Sequence, residues 1–234
     1  MGWHGELLVG FDLETTGTDP AQARIVTAAV VETKGGVLLG SRHWLADPGV
    51  PIPAEAAAIH GISSEEAAAR GRPAREVAEE IAAALAGHWS MGVPVVAYNA
   101  RFDLSLLEAE LRRHGLPSLG ERLGEGAEVG PVVDPFTIDR AVDRYRKGRR
   151  TLGATCEEYG VELAGAHEAG ADALAAVRVA RAVAARYPEV GEADIRQLHA
   201  DQRRWYAEWA AGYQAWLRRR GDEGAVVEGE WPMR

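Results

Sequence analysis

Asp12 and Glu14 stand two residues apart at the end of the apolar run Val9-Gly10-Phe11. Side chains in a strand alternate faces, so these two carboxylates point the same way. Carboxylates aimed at one spot repel each other, and a divalent cation between them relieves the repulsion. Alone, an Asp-x-Glu pair is equally consistent with two solvated acids at a strand end. Two further acidic positions change the balance. Asp103 follows the run Val95-Val96-Ala97-Tyr98-Asn99, and Asn99 is placed to cap the helix that carries it. The competing reading of Asp103 is a first-turn acid favoured by the helix macrodipole. His167 and Asp172 form a His-x4-Asp pair. That spacing does not put both on one helical face, so they converge only if His167 lies on the preceding loop and folds back. Glu168, four residues before Asp172, competes for the same place.

Taken together, Phe11-Asp12-Leu13-Glu14-Thr15-Thr16-Gly17, Asn99-Ala100-Arg101-Phe102-Asp103 and His167-x4-Asp172 resemble the DEDD 3′→5′ exonucleases, the DnaQ-like family, in its His subclass. Ile59-His60-Gly61-Ile62 resembles a segment that the family carries between its first two acidic motifs. The likeness runs over about residues 5–187, and the Tyr subclass would need a tyrosine where Glu168 stands. The resemblance implies two divalent ions, Mg²⁺ or Mn²⁺, held by Asp12, Glu14, Asp103 and Asp172. Asp12 would bridge them, with Glu14 and Asp172 serving the ion that holds the attacking water and Asp103 the other. It implies His167 as general base, since imidazole exchanges protons near neutrality. Thr15 would contact the terminal 3′-OH and Leu13 the terminal base, while His60, Asn99 and Phe102 would line the nucleotide site.

The implied reaction is hydrolysis from the 3′ end of single-stranded DNA to nucleoside 5′-monophosphates, in proofreading or repair, as in the proofreading subunit of bacterial DNA polymerase III. RNA trimming or oligoribonucleotide degradation stays open. So does a non-catalytic role as a polymerase accessory subunit, although a scaffold has no need of four convergent carboxylates.

Hydrophobic periodicity outlines the elements that must position these residues. Strands are predicted over 6–12, 24–33 and 37–45, the last two joined by the tight turn Lys34-Gly35-Gly36. A broken helix spans 53–69, and a regular one spans 73–86 with Val77, Ile81 and Leu85 in line. A strand at 93–98, a helix at 101–114 ended by Gly115, a brief strand at 132–134 and helices at 135–144, 152–159 and 169–187 follow. Residues 120–130 read as a loop. The pattern is a mixed α/β domain over residues 1–188. By resemblance it is ribonuclease-H-like: five strands, the first three antiparallel, flanked by helices. Residues 189–220 form a Trp-rich helical extension, with Ile195, Leu198, Trp205, Trp209, Tyr213 and Trp216 on one stripe. Packing on the domain is expected for that stripe; a homodimer surface and base stacking are the alternatives. Residues 221–234 read as a loose tail.

The 234 residues are 47% hydrophobic, ample for a core, and carry a net charge of −9. An acidic chain argues against a broad basic nucleic-acid face, though bound cations reverse the field locally. The basic run Arg144 to Arg150 is either a solvated face or a track for phosphates. The single cysteine, Cys156, excludes an intrachain disulfide and reads as a small core residue. With no export signal recognised, a cytoplasmic setting is expected. No apolar run reaches membrane-spanning length.

Overall fold

The computed structural model describes residues 2–234. Its centre is β1, Leu7–Thr15, buried on both faces and therefore apolar on both registers. β2, Ile25–Lys34, and β3, Val37–Asp47, continue it as an antiparallel meander. Gly35 and Gly36 supply the positive φ angles, 59° and 84°, that their hairpin turn requires. On the other side of β1, the short strands β5, Val95–Val96, and β6, Val132–Val133, add in parallel. Arg72–Pro73 forms β4, parallel to the end of β3, so the sheet has six strands in the order β4-β3-β2-β1-β5-β6. The sequence reading of five strands put Pro73 inside a helix. A proline at a sheet edge donates nothing and is tolerated there.

Between β3 and β4 lie α1, Ala54–His60, and α2, Ser64–Arg70. One sheet face carries α3, Ala74–Ser90, and α4, Ala100–Arg113, whose Val77, Ile81, Leu85, Leu104 and Leu107 share a core with Val9, Phe11 and Leu13. Within 120–130, where a loop was expected, the Ser118–Glu121 capping box starts a short helix, α5, Leu119–Leu123. The other face carries α6, Pro135–Val142, α7, Leu152–Tyr159, and α8, Ala169–Arg186, which pack on Leu8, Val96 and Val133. Cys156 is buried there, and burial pushes its thiol up to about 11, as an inert core residue requires.

After α9, Pro188–Gly191, the side chain of Asp194 caps α10, Ile195–Arg219. The face of α10 that is fully buried is not the whole expected stripe but Leu198, His199, Gln202, Tyr206 and Ala210. β6 is an edge strand, and its outer backbone groups need partners. His199 Nδ1 accepts from the Val132 N–H at 3.0 Å, and Gln202 accepts from Asp134 N–H at 2.7 Å while donating to Val132 O at 3.0 Å. Tyr213 and Trp216 remain exposed, at 42% and 43%. The terminal segment is not loose as expected. It folds back so that Trp231, 3% exposed, packs at a tilt against His199 and joins the main core. The aromatic surface buried in this way offsets part of the chain entropy lost in ordering the segment. Among the described residues no helix is long and apolar enough to cross a membrane.

Candidate active site

Strand alternation sends Val9, Phe11 and Leu13 under α3 and α4, and Gly10, Asp12 and Glu14 toward α8. Gly10 lets α8 come close, since a Cβ there would lie 2.5 Å from Ala173 O. Asp172, in the first turn of α8, is thereby held over the end of β1. His167 precedes α8 on a loop, with φ at 70°, a left-handed conformation uncommon for a residue with a Cβ. This folds the chain back, and the His167 N–H donates to Asp172 Oδ2 at 3.2 Å. Glu14, His167 and Asp172 each offer a ligand atom, and these atoms all lie within 4.8 Å of one another. Glu168 does not join them; its carboxylate lies over Gly165.

Asp103 arrives from the other side. After β5 the chain turns through Asn99, also left-handed at φ 62°, and α4 starts at once. Asp103 Oδ1 then accepts from the Leu13 N–H at 3.1 Å. The expected side-chain cap by Asn99 does not form, because a cap residue needs extended rather than left-handed backbone. Asn99 instead donates its N–H to Asp134 Oδ1 at 2.9 Å, and its side chain is left exposed.

The electrostatics follow from this crowding. Burial, then Asp103, Asp172 and Glu14, push the Asp12 carboxyl well above the usual range. Burial and Asp172 push Glu14 up to about 7. Burial raises Asp103 against the opposing Leu13 N–H, and raises Asp172 against the opposing His167 N–H. Asp172 Oδ1 is buried with no hydrogen-bond partner. Four mutually destabilised carboxylates, one with an orphaned oxygen, make a hard oxygen donor set that suits divalent cations.

The remaining positions divide. Thr15 lies beyond a β-bulge at Glu14/Thr15 and donates its hydroxyl to Gly17 O at 2.8 Å. His60 is half-buried, its Nδ1 accepting from Ile62 N–H at 3.2 Å; burial pushes its imidazole down, opposed by the Thr15 backbone beside it. Phe102 is half-buried against the core, one position before Asp103. Leu13 was expected against a terminal base, but its side chain is buried in the core and its backbone N–H is what reaches the site. Sequence reasoning missed Asp134. Buried, it caps α6, anchors Asn99 and adds to the charge felt by Asp103. The Asp-Pro pair that opens α6 is the signal that could have found it. In the basic run, Arg146 and Arg150 are committed to the buried Asp139, which leaves Arg144, Lys147 and Arg149 exposed.

A mixed sheet of this order with four carboxylates at the end of its central strand defines a ribonuclease-H-like exonuclease fold, and known proteins agree. The RNase T model, which describes exonucleases, matches residues 9–180. The chain belongs to the DnaQ-like 3′→5′ exonuclease family, a family of phosphodiester hydrolases. It is 29% identical over 181 residues to the PolC-type DNA polymerase III of Streptococcus agalactiae, covering 76% of this chain and 11% of the polymerase. Exonuclease I of Methylocaldum szegediense superposes with a TM-score of 0.63 at 27% identity, covering 79% of this chain and 42% of that one. E. coli exonuclease I in complex with a dA16 oligonucleotide gives 0.65 at 22% identity, with the same coverage. The chain thus spans about a tenth of its curated polymerase relative and less than half of the exonuclease I chains.

Proposed function

We propose that the protein removes nucleoside 5′-monophosphates one at a time from the 3′ end of single-stranded DNA. The observation that carries this reading is the meeting of Glu14, His167 and Asp172 within 4.8 Å beside Asp12. Two divalent cations, Mg²⁺ or Mn²⁺, held by Asp12, Glu14, Asp103 and Asp172 would neutralise charge at the phosphate and make an attacking water more acidic.

The chain's own residues do the rest. The exposed His167 imidazole takes the proton of the attacking water. The water oxygen bonds to phosphorus, the P–O3′ bond breaks, and the departing 3′-oxygen of the shortened strand takes a proton from solvent water. Thr15, whose hydroxyl still has acceptor capacity while donating to Gly17 O, meets the terminal 3′-OH. His60, Asn99 and Phe102 border the terminal nucleotide, touching sugar and base face, which suits sequence tolerance.

DNA is favoured over RNA because the similar Streptococcus agalactiae protein is a DNA polymerase and the E. coli neighbour carries a DNA oligonucleotide. The test is a paired assay of 5′-labelled DNA and RNA oligonucleotides of one sequence with Mn²⁺, with Asp12→Ala as control. Ladder formation on DNA that Asp12→Ala abolishes supports the reading. Faster shortening of RNA would assign the RNA-trimming alternative, and no shortening of either would leave the accessory role. A working partnership with a DNA polymerase is supported by the relative in which the matching region is one part of a polymerase chain. Co-purification with a polymerase subunit tests that.

A further inference from the structure

α10 lies outside the region that matches the family, and it carries a feature the proposed chemistry does not use. Trp209, Tyr213, Trp216 and Arg220 fall within roughly 60° of one another at 3.6 residues per turn. Their rings are near parallel: Trp209 and Tyr213 lie 5.5 Å apart at 11°, and Tyr213 and Trp216 5.7 Å apart at 14°. These separations exceed a face-to-face contact of about 3.5–4 Å, so the rings are offset and each leaves part of its face uncovered. The Arg220 guanidinium covers the outer end, 5.1 Å from the Trp216 ring.

The ladder continues inward. The Arg140 guanidinium is clamped between Trp209, at 3.7 Å, and Phe136, at 4.1 Å, and its Nη1 is buried without a hydrogen-bond partner. Phe136 meets Tyr98 at 5.6 Å. Tyr98 is next to Asn99, one turn before Asp103. A continuous aromatic and guanidinium row therefore runs from the carboxylate site to the far end of α10.

The returning terminal segment meets α10 at His199, Ala207, Ala210, Gln214 and Arg218, positions off the face that carries Tyr213 and Trp216. Basic groups border the row instead. The Tyr98 hydroxyl donates to Arg150 O at 2.8 Å, which brings the loop bearing exposed Arg144, Lys147 and Arg149 alongside. Tyr145 in that loop is 87% exposed. In a chain of net charge −9, cations gathered beside the partly exposed rings of Tyr213 and Trp216 complement a polyanion that also carries flat rings.

We infer that the Tyr98–Phe136–Arg140–Trp209–Tyr213–Trp216 row is a binding platform for the single-stranded nucleic acid upstream of the cleaved 3′ end, with bases over the rings and phosphates along Arg144, Lys147, Arg149 and Arg220. Only the direction of the strand rests on the exonuclease reading.

Binding of a fluorescein-labelled oligothymidylate of about 20 nucleotides, longer than the roughly 4–16 that one such surface covers, is measured by anisotropy in EDTA. Without divalent ions this readout is independent of hydrolysis. The Tyr213→Ala/Trp216→Ala protein should bind at least about tenfold more weakly. Arg144→Glu/Lys147→Glu/Arg149→Glu should flatten the salt dependence. Where wild type hydrolyses DNA, the aromatic pair of substitutions should raise KM for the long oligonucleotide and leave kcat and trinucleotide kinetics unchanged. Unchanged binding in both variants overturns the platform. It is also overturned if sedimentation shows a wild-type dimer that the aromatic substitutions dissolve while DNA binding persists, because that face would then pair with a second copy. A protein that binds DNA through this face but hydrolyses none would sink the exonuclease reading alone.

Discussion

Gly10 on β1 lies directly against Ala173 on α8: a methyl group added at Gly10 would fall 2.5 Å from the Ala173 carbonyl oxygen and 2.6 Å from Val31 Cγ2. Neither backbone can yield without moving Asp12 away from Asp172, because each carboxylate is within two residues of the contact. Gly10→Ala should therefore destabilise the fold by about 1–3 kcal/mol, the usual cost of overpacking. It should lower exonuclease activity by more than the loss of folded protein accounts for. Thermal melts paired with rates per folded molecule check this. An active variant with a shifted melt would show that α8 can retreat without disturbing the site.

The carboxylate cluster makes the metal-free protein sensitive to rising pH. The folded-state pKa of Glu14 is raised from 4.5 to about 7, so between these values the folded state holds a proton that the unfolded chain has released. Stability then falls as pH rises through that window. Asp12, Asp103 and Asp172 shift in the same direction. Cations that bind the deprotonated cluster should reverse the trend. The melting temperature in EDTA should thus drop between pH of about 4.5 and 7, and the rise given by Mg²⁺ or Mn²⁺ should be larger at the upper end. A metal-induced rise independent of pH across this window would dissociate the cluster from cation binding.

How far this site is legible in the sequence depends on the range of each contact. Asp12 and Glu14 are paired by strand alternation alone, a local rule, and Val77, Ile81 and Leu85 mark their helix face just as locally. The place of His167 depends on one left-handed residue, which spacing cannot reveal. The stripe on α10 misleads for a different reason. Polar His199 and Gln202 lie off that stripe, yet they are buried because an edge strand 67 residues earlier needs its backbone groups satisfied. Arg146 and Arg150 read as surface charge and are held by Asp139, a buried acid that only the folded chain brings near.

Replacing His167 separates its imidazole from its backbone role. Asparagine tolerates left-handed φ, so His167→Asn should keep the loop and the N–H donated to Asp172. Loss of a general base costs on the order of 10²–10⁴ in rate. The variant should lose kcat on that scale while its melting temperature and the Mn²⁺-induced rise in it stay near wild type. If instead the Mn²⁺ effect disappears with full-length folding intact, His167 acts as a ligand and not as the base.

Two tryptophans on the C-terminal elements should respond oppositely to truncation. Trp231 is 3% exposed, packs tilted against His199 with ring centroids 5.0 Å apart and points its Nε1 at Asp134 Oδ2, 3.4 Å away. Trp216 is 43% exposed, with Tyr213 stacked on its ring and the Arg220 guanidinium 5.1 Å from its centroid. Trp231→Ala should cost about 3–5 kcal/mol, the range for large aromatic truncations in a core. At roughly 2–4 °C per kcal/mol for a chain of this size, that is a fall in melting temperature of about 6–20 °C. Trp216→Ala should move it by no more than about 2 °C, as for a surface substitution. Since Asp134 also holds Asn99 in its left-handed turn, Trp231→Ala should raise KM for oligonucleotides even below the melt. Equal shifts for the two variants would mean that the terminal segment does not close over His199 in solution.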